Sequence, residues 1–218
     1  MRRRELSGFT CELRGTITSA GFSSGHRFVV GSWEESPIGP LADVMWARPD
    51  GRRILLVDRR EAADFITAVY RFDTVEVVPL ACRVVHGLLE VDAGGVQLIL
   101  RGGLPWPIPL AKLRNRTQVR PLDRLLARGL LGVRTWGVTP SGVQEWYRAD
   151  EYRRVVAGQA NLDGRDLGPV RPFPEPARFG FSEPPRCPSM VRVRPLLHDP
   201  SGRLARAVGG HALTEDGP

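Results

Sequence analysis

Between residues 26 and 46 the chain places His26, Trp33, Glu34, Glu35, Asp43 and Trp46, its densest grouping of side chains able to do chemistry. Carboxyls set among aromatics in a β framework are shielded from water, which raises their pKa toward the range useful for general acid–base work. Successive strand residues point to opposite faces, so at most one of Glu34 and Glu35 can line a cavity. Ser36-Pro37-Ile38-Gly39-Pro40 follows as a stiff loop suited to rim its mouth. This pattern predicts a pocket lined from 26–46 and 84–100. Trp33, Trp46, Asp43 and His26 are its ligand-binding candidates, and Glu35 and Asp43 its catalytic candidates. The competing reading is plain packing, because tryptophans fill cores and paired glutamates coat surfaces.

Three further motifs invite chemistry. Lys112 is the single lysine in a chain otherwise written with arginine. A lysine crowded by guanidinium groups and partly buried has a depressed pKa and can form a Schiff base, so it ranks as a third catalytic candidate, below Glu35 and Asp43. It is also what chance leaves in an arginine-biased composition. Gly21-Phe22-Ser23-Ser24-Gly25 matches G-x-S-x-G. That motif exposes a nucleophile only on a strand-to-helix turn. Here a β-prone run, HRFVVGSW, follows, so Ser23 reads as part of a loop between strands. His26 and His86 with Asp43 lack metal-ligand spacing, and neither metal nor cofactor is expected. His86, inside RVVHGLL, reads as a packing residue in mid-strand.

Residues 104–128 form a separate unit. LPWPIPL sets Trp106 and aliphatics among prolines, and Lys112, Arg114, Arg116 and Arg120 follow with no acid before Asp123. Arg124 and Arg128 then share a helix face at i, i+4. An aromatic wedge beside a basic stripe suits an anionic surface, whether membrane, acidic partner or phosphate backbone. The plain alternative is a buried proline loop beside a solvated helix face. Nucleic acid is the least favoured partner, since acids are interleaved with bases through most of the chain.

The elements that must position these residues are mostly strands. Residues 11–20 and 26–33 alternate in the β manner, and 42–57 reads as a hairpin turning at Pro49-Asp50-Gly51. Ala62, Phe65, Ile66 and Val69 give the i, i+3, i+4, i+7 stripe of a short helix, with Asp58 placed to cap it. Residues 75–80, 83–91 and 96–100 return to strand. The prolines of 102–120 exclude regular structure, and a helix spans 121–130 behind Pro121. Another hairpin turns at 139–142 into VQEWY. Tyr152, Val155 and Val156 predict a helix over 149–157, 163–188 reads as an irregular wrap, and 189–197 as a last strand. The expectation is a mainly β (α+β) domain over 8–197, its antiparallel sheet curled into a barrel or half-barrel with two or three short helices packed on it. Residues 198–218 lack apolar periodicity and read as a disordered tail.

A chain of 218 residues with 42% hydrophobic and 25% charged content can bury a full core. The net charge of +7 reflects arginine use typical of a GC-rich genome more than a partner. Cys11, Cys82 and Cys187 are odd in number and widely spaced, which argues against a disulfide framework. With no apolar run long enough to span a bilayer, a cytoplasmic location is expected. The leading functional reading is a small apolar or amphipathic ligand held in the barrel interior. An interaction module working through 104–128 is the alternative, and enzyme activity and oligomeric state stay open.

The runs SGHRFVVGSWEESPIGPLADVMWARPDGRRILL and RFGFSEPPRCPSMVRVRPLL resemble segments of uncharacterised proteins from high-GC actinobacteria. That resemblance implies a source and transfers no site residues. A more distant similarity is to the cone-shaped barrels of acetoacetate-decarboxylase-like proteins, which use a Schiff-base lysine. The surroundings of Lys112 do not match that motif, so the resemblance does not carry the activity.

Overall fold

A computed structural model describes residues 8–107, 136–173, 175–180 and 184–212. The chain first forms β1 (Phe9–Glu12), β2 (Arg14–Phe22), β3 (Arg27–Glu35), β4 (Leu41–Ala47) and β5 (Arg53–Val57). Helix α1 (Arg60–Val69) follows, then β6 (Thr74–Val77), β7 (Leu80–Val85), β8 (Leu88–Ala93), β9 (Val96–Gly102) and β10 (Trp106–Pro107). After the basic segment come β11 (Trp136–Val138), β12 (Gln144–Trp146), β13 (Ala149–Leu162), β14 (Arg165–Asp166) and β15 (Val170–Arg171). The chain closes with β16 (Ser189–Val193), β17 (Leu196–Asp199) and α2 (Arg203–Ala212).

The large sheet runs β6-β5-β4-β3-β2-β16-β13-β9-β8-β7 and curls until β7 comes back against β3 and β4. Its concave side is filled by Phe28, Val30, Val44, Leu89, Leu98 and Leu100, all essentially without exposure. The fold is therefore the expected one, a mainly antiparallel half-barrel with short helices packed on it.

The opposite face of β2–β5 is covered by α1 and by a second sheet, β1-β17-β12-β11. Strand alternation sends Leu41, Asp43 and Met45 to this face, and Val44 and Trp46 to the barrel side. The α1 stripe is as predicted: Ala62, Phe65, Ile66 and Val69 are buried, and each of the larger side chains contributes about 2–3 kcal/mol. Its cap is not. Arg59 holds the cap position with no side-chain cap bond, and Asp58 pairs with Arg59 instead. Helix α1 carries the chain across to β6, which lies parallel to β5. The crossover is clamped where Arg53 donates through Nε and a terminal nitrogen to the two oxygens of Asp73, at 3.1 and 2.7 Å.

Three further expectations are corrected. Residues 149–157 are not helical but begin the longest strand, β13, which pairs with β16 and β9. Bulges at 149–151 and 155–157 interrupt its alternation, and the result imitates helical spacing. His86 is not in mid-strand. With φ of 48° it forms, with Gly87, the two-residue turn joining β7 and β8, and it is exposed. Beyond residue 197, where disorder was expected, the chain completes β17 and folds into α2. Asp199 accepts bonds from the Ser201 and Leu204 backbone N–H groups at 2.8 Å, and Leu204 is fully buried. The predicted helix over 121–130 lies outside the described residues. No helix among those described is long and apolar enough to cross a membrane.

Candidate functional site

Between the outer face of the sheet and α1 lies a cavity of about 100 Å³. One wall is the sheet itself, with Ile17 and Ser19 on β2, Val29, Gly31 and Trp33 on β3, Asp43 and Met45 on β4, and Ser189 and Val191 on β16. Phe65, Ile66 and Val69 of α1, with Tyr70 just beyond, form the second wall. Glu145 of β12 and the following Tyr147 form the third. Phe179, Pro184 and Pro185 close one side. Most of this surface is apolar, so the few polar atoms define what it can do.

Asp43 sits at the centre of the sheet wall and is 1% exposed. Register places Gly31 directly opposite it on β3. The missing side chain leaves space for the Trp33 indole to fold back over Gly31, so that Nε1 donates to Asp43 Oδ1 at 2.9 Å. A Cβ on Gly31 would collide with both groups. The second oxygen, Oδ2, is buried and has no hydrogen-bond partner among the described residues. Burial pushes the Asp43 carboxyl up to about 7, with the Trp33 hydrogen bond pulling weakly the other way.

Glu145 is the second buried acid, 4% exposed. The Tyr70 hydroxyl lies 3.2 and 3.0 Å from its two oxygens, one phenol proton serving both. Burial pushes this carboxyl up to about 7 as well, against the stabilising Tyr70 bond. Tyr70 is held well above the ordinary phenol range by burial and by the nearby charges of Glu145 and Asp43, so it remains a donor. Burial raises Tyr147 for the same reasons, with Glu145 adding to it. On the sheet wall Ser19 and Ser189 face each other, Oγ to Oγ at 3.2 Å. The cavity is thus apolar with two acids poised between protonation states, and no arginine, lysine or histidine is among its described lining residues.

The residues proposed from sequence divide sharply. Trp33 and Asp43 meet in this cavity, which lies under α1 on the outer face of the sheet and not in the barrel interior where the pocket was expected. Trp46 and His26 do not belong to it. Trp46 points into the barrel side, where its Nε1 donates to His26 Nδ1 at 2.8 Å and the two rings stack. Burial and the nearby Arg48 lower the His26 pKa. Glu35 is exposed and paired with Arg14, and Glu34 is exposed and paired with Arg192, so neither lines the cavity. Residues 84–100 serve the barrel side rather than this site. Ser23 lies in the loop between β2 and β3, as its context required. His26, His86 and Asp43 are not brought together. Lys112, Arg114, Arg116, Arg120, Arg124 and Arg128 lie outside the described residues, while Trp106 is 58% exposed on β10. Tyr70, Glu145 and Tyr147 were not anticipated.

Neither a family model nor a curated protein sequence matches the chain. Among solved structures, the crystal structure of an acetoacetate decarboxylase from Legionella pneumophila is similar at a TM-score of 0.41. The two share 9% identity, and the match covers 88% of this chain and 83% of that one.

Proposed function

We propose that this half-barrel binds a small amphipathic molecule in the cavity under α1, with its polar end at Asp43 and Glu145. The observation that carries the reading is Asp43 Oδ2, a buried carboxylate oxygen with no hydrogen-bond partner among the described residues, on a side chain that lines this cavity. A buried polar atom left unsatisfied costs about 1–3 kcal/mol, and a bound donor would recover that cost. Size narrows the choice. An apolar cavity of about 150 Å³ accepts benzene, so one of about 100 Å³ suits roughly four or five heavy atoms. Isobutanol meets both requirements.

Titration of isobutanol followed by methyl NMR tests this. Shifts should concentrate on Met45, Ile17, Ile66 and Val191 and saturate together. Shifts scattered over the barrel side, or none at millimolar ligand, would discard the reading.

Exposure of Leu104 and Trp106 at the start of the basic segment favours a second reading, docking on an anionic membrane surface through 104–128.

A further inference from the structure

We propose that the cavity selects a small alkylammonium ion, its nitrogen held by Asp43 and Glu145 and its alkyl group laid against Met45, Ile66 and Val69. This rests on the reading of the cavity as a ligand site and names the class of ligand it takes.

The argument begins with what each acid lacks. Among the described residues Asp43 receives one hydrogen bond, from Trp33, and its other oxygen receives none. Glu145 shares a single phenol proton between two oxygens. Between them the two carboxyls leave several acceptor positions open, and an ammonium brings three donors and no acceptor. Among the described residues, the remaining groups that line the cavity offer no competing positive charge. Tyr70 and Tyr147 titrate far above neutrality, and Ser19, Ser189 and Trp33 do not titrate. A ligand carboxylate or phosphate would meet two acids with no cation among the described lining residues, and is repelled wherever those acids are ionised.

Charge balance then fixes the proton count. Two ionised carboxyls and one ammonium leave one negative charge buried, whereas one carboxylate, one carboxylic acid and one ammonium are neutral together. The neutral arrangement is the one a low-dielectric cavity favours. With both acids titrating near 7, the free site at pH 6 holds mostly protonated carboxyls. Binding the ammonium there displaces one proton, from one carboxyl to solvent, and no covalent bond forms or breaks. Affinity therefore peaks in the carboxyl range: below it binding releases a proton, and above it, where both acids are ionised in the free site, binding takes one up.

Isobutylamine and isobutanol have the same shape and differ in charge, so the pair isolates the inference. Calorimetry at pH 6 in buffers of different ionisation heat should report about one proton released per isobutylamine and none per isobutanol. Isobutylamine affinity should peak near pH 7 and be about threefold lower at pH 6 and at pH 8, as the singly protonated fraction of two groups titrating near 7 falls from about one half to about one sixth, while isobutanol stays flat. Asp43→Asn and, independently, Glu145→Gln should abolish the preference for amine and keep isobutanol binding. If isobutanol binds while isobutylamine binds no better, or binds without proton release, the ammonium inference falls and the ligand cavity stands. If neither perturbs the methyls of the cavity, both fall.

Discussion

Replacing Asp43 by asparagine removes the charge and keeps the shape, which turns the burial of this carboxyl into a measurable quantity. The group ordinarily titrates at 3.8 and is held at about 7 in the folded protein. Between those values the folded chain keeps a proton that the unfolded chain has released. Stability therefore falls as pH rises through the window, by about 1.4 kcal/mol per pH unit for this one group. The contribution is fully present below about pH 4 and lost above about pH 7, an excursion of about 4 kcal/mol. Asparagine takes no part in it. Its amide nitrogen, standing where Oδ2 has no partner, costs about 1–3 kcal/mol at every pH. The two effects cross. The variant should be less stable than the wild type by that amount below about pH 4, and more stable by about 1–3 kcal/mol at pH 8, where the wild type has lost its full excursion. Urea unfolding at fixed ionic strength across this range gives both curves. His26, whose lowered pKa pulls stability the other way, and Glu145 titrate in both proteins and drop out of the difference. A difference that stays constant from pH 5 to pH 8 would refute the claim that burial holds Asp43 neutral.

Tyr70→Phe deletes the donor that steadies the Glu145 carboxylate, so it should cost about 1.5–3 kcal/mol at pH 8 and less at pH 5; an equal loss at both would show the hydroxyl to be indifferent to that charge. Gly31→Ala forces a Cβ into the Trp33–Asp43 contact and should cost about 1–3 kcal/mol while shifting the Trp33 indole N–H resonance, whereas an unmoved resonance would mean the pair is not held there. For the segment 104–128, co-sedimentation with vesicles containing acidic lipid should weaken in Trp106→Ala and in Arg124→Ala and vanish in high salt; binding that ignores all three removes the surface-docking reading.

Much of the architecture was written in local pattern. The turn at Pro49-Asp50-Gly51, with Gly51 at φ 86°, and the four-residue stripe of α1 are short-range features, and they formed where spacing placed them. Strand β13 misled because its two bulges break the alternation that marks a strand. Half of the site was visible for a simple reason, since Trp33 and Asp43 stand on adjacent strands of one hairpin. Trp46 was misplaced through parity: three residues from Asp43 on the same strand, it must face the other way. Tyr70 and Glu145 are seventy-five residues apart, and only the fold joins them. One trace of Glu145 was available all the same. Val143, Glu145 and Tyr147 share one side of the VQEWY strand, and an acid at an inward position of such an alternation marks a buried carboxyl.

The helix that walls the cavity is carried on a crossover ending in β6, the last strand of the large sheet, with every residue exposed. An edge strand is the first part of a sheet to come away, and here it would take its helix with it. Such fraying would part the helix wall from the sheet wall, against the hold of the fork between Arg53 and Asp73. Because that fork forms with or without a guest, loosening it would speed entry and departure equally. Occupancy at equilibrium would be untouched, and residence time alone would shorten.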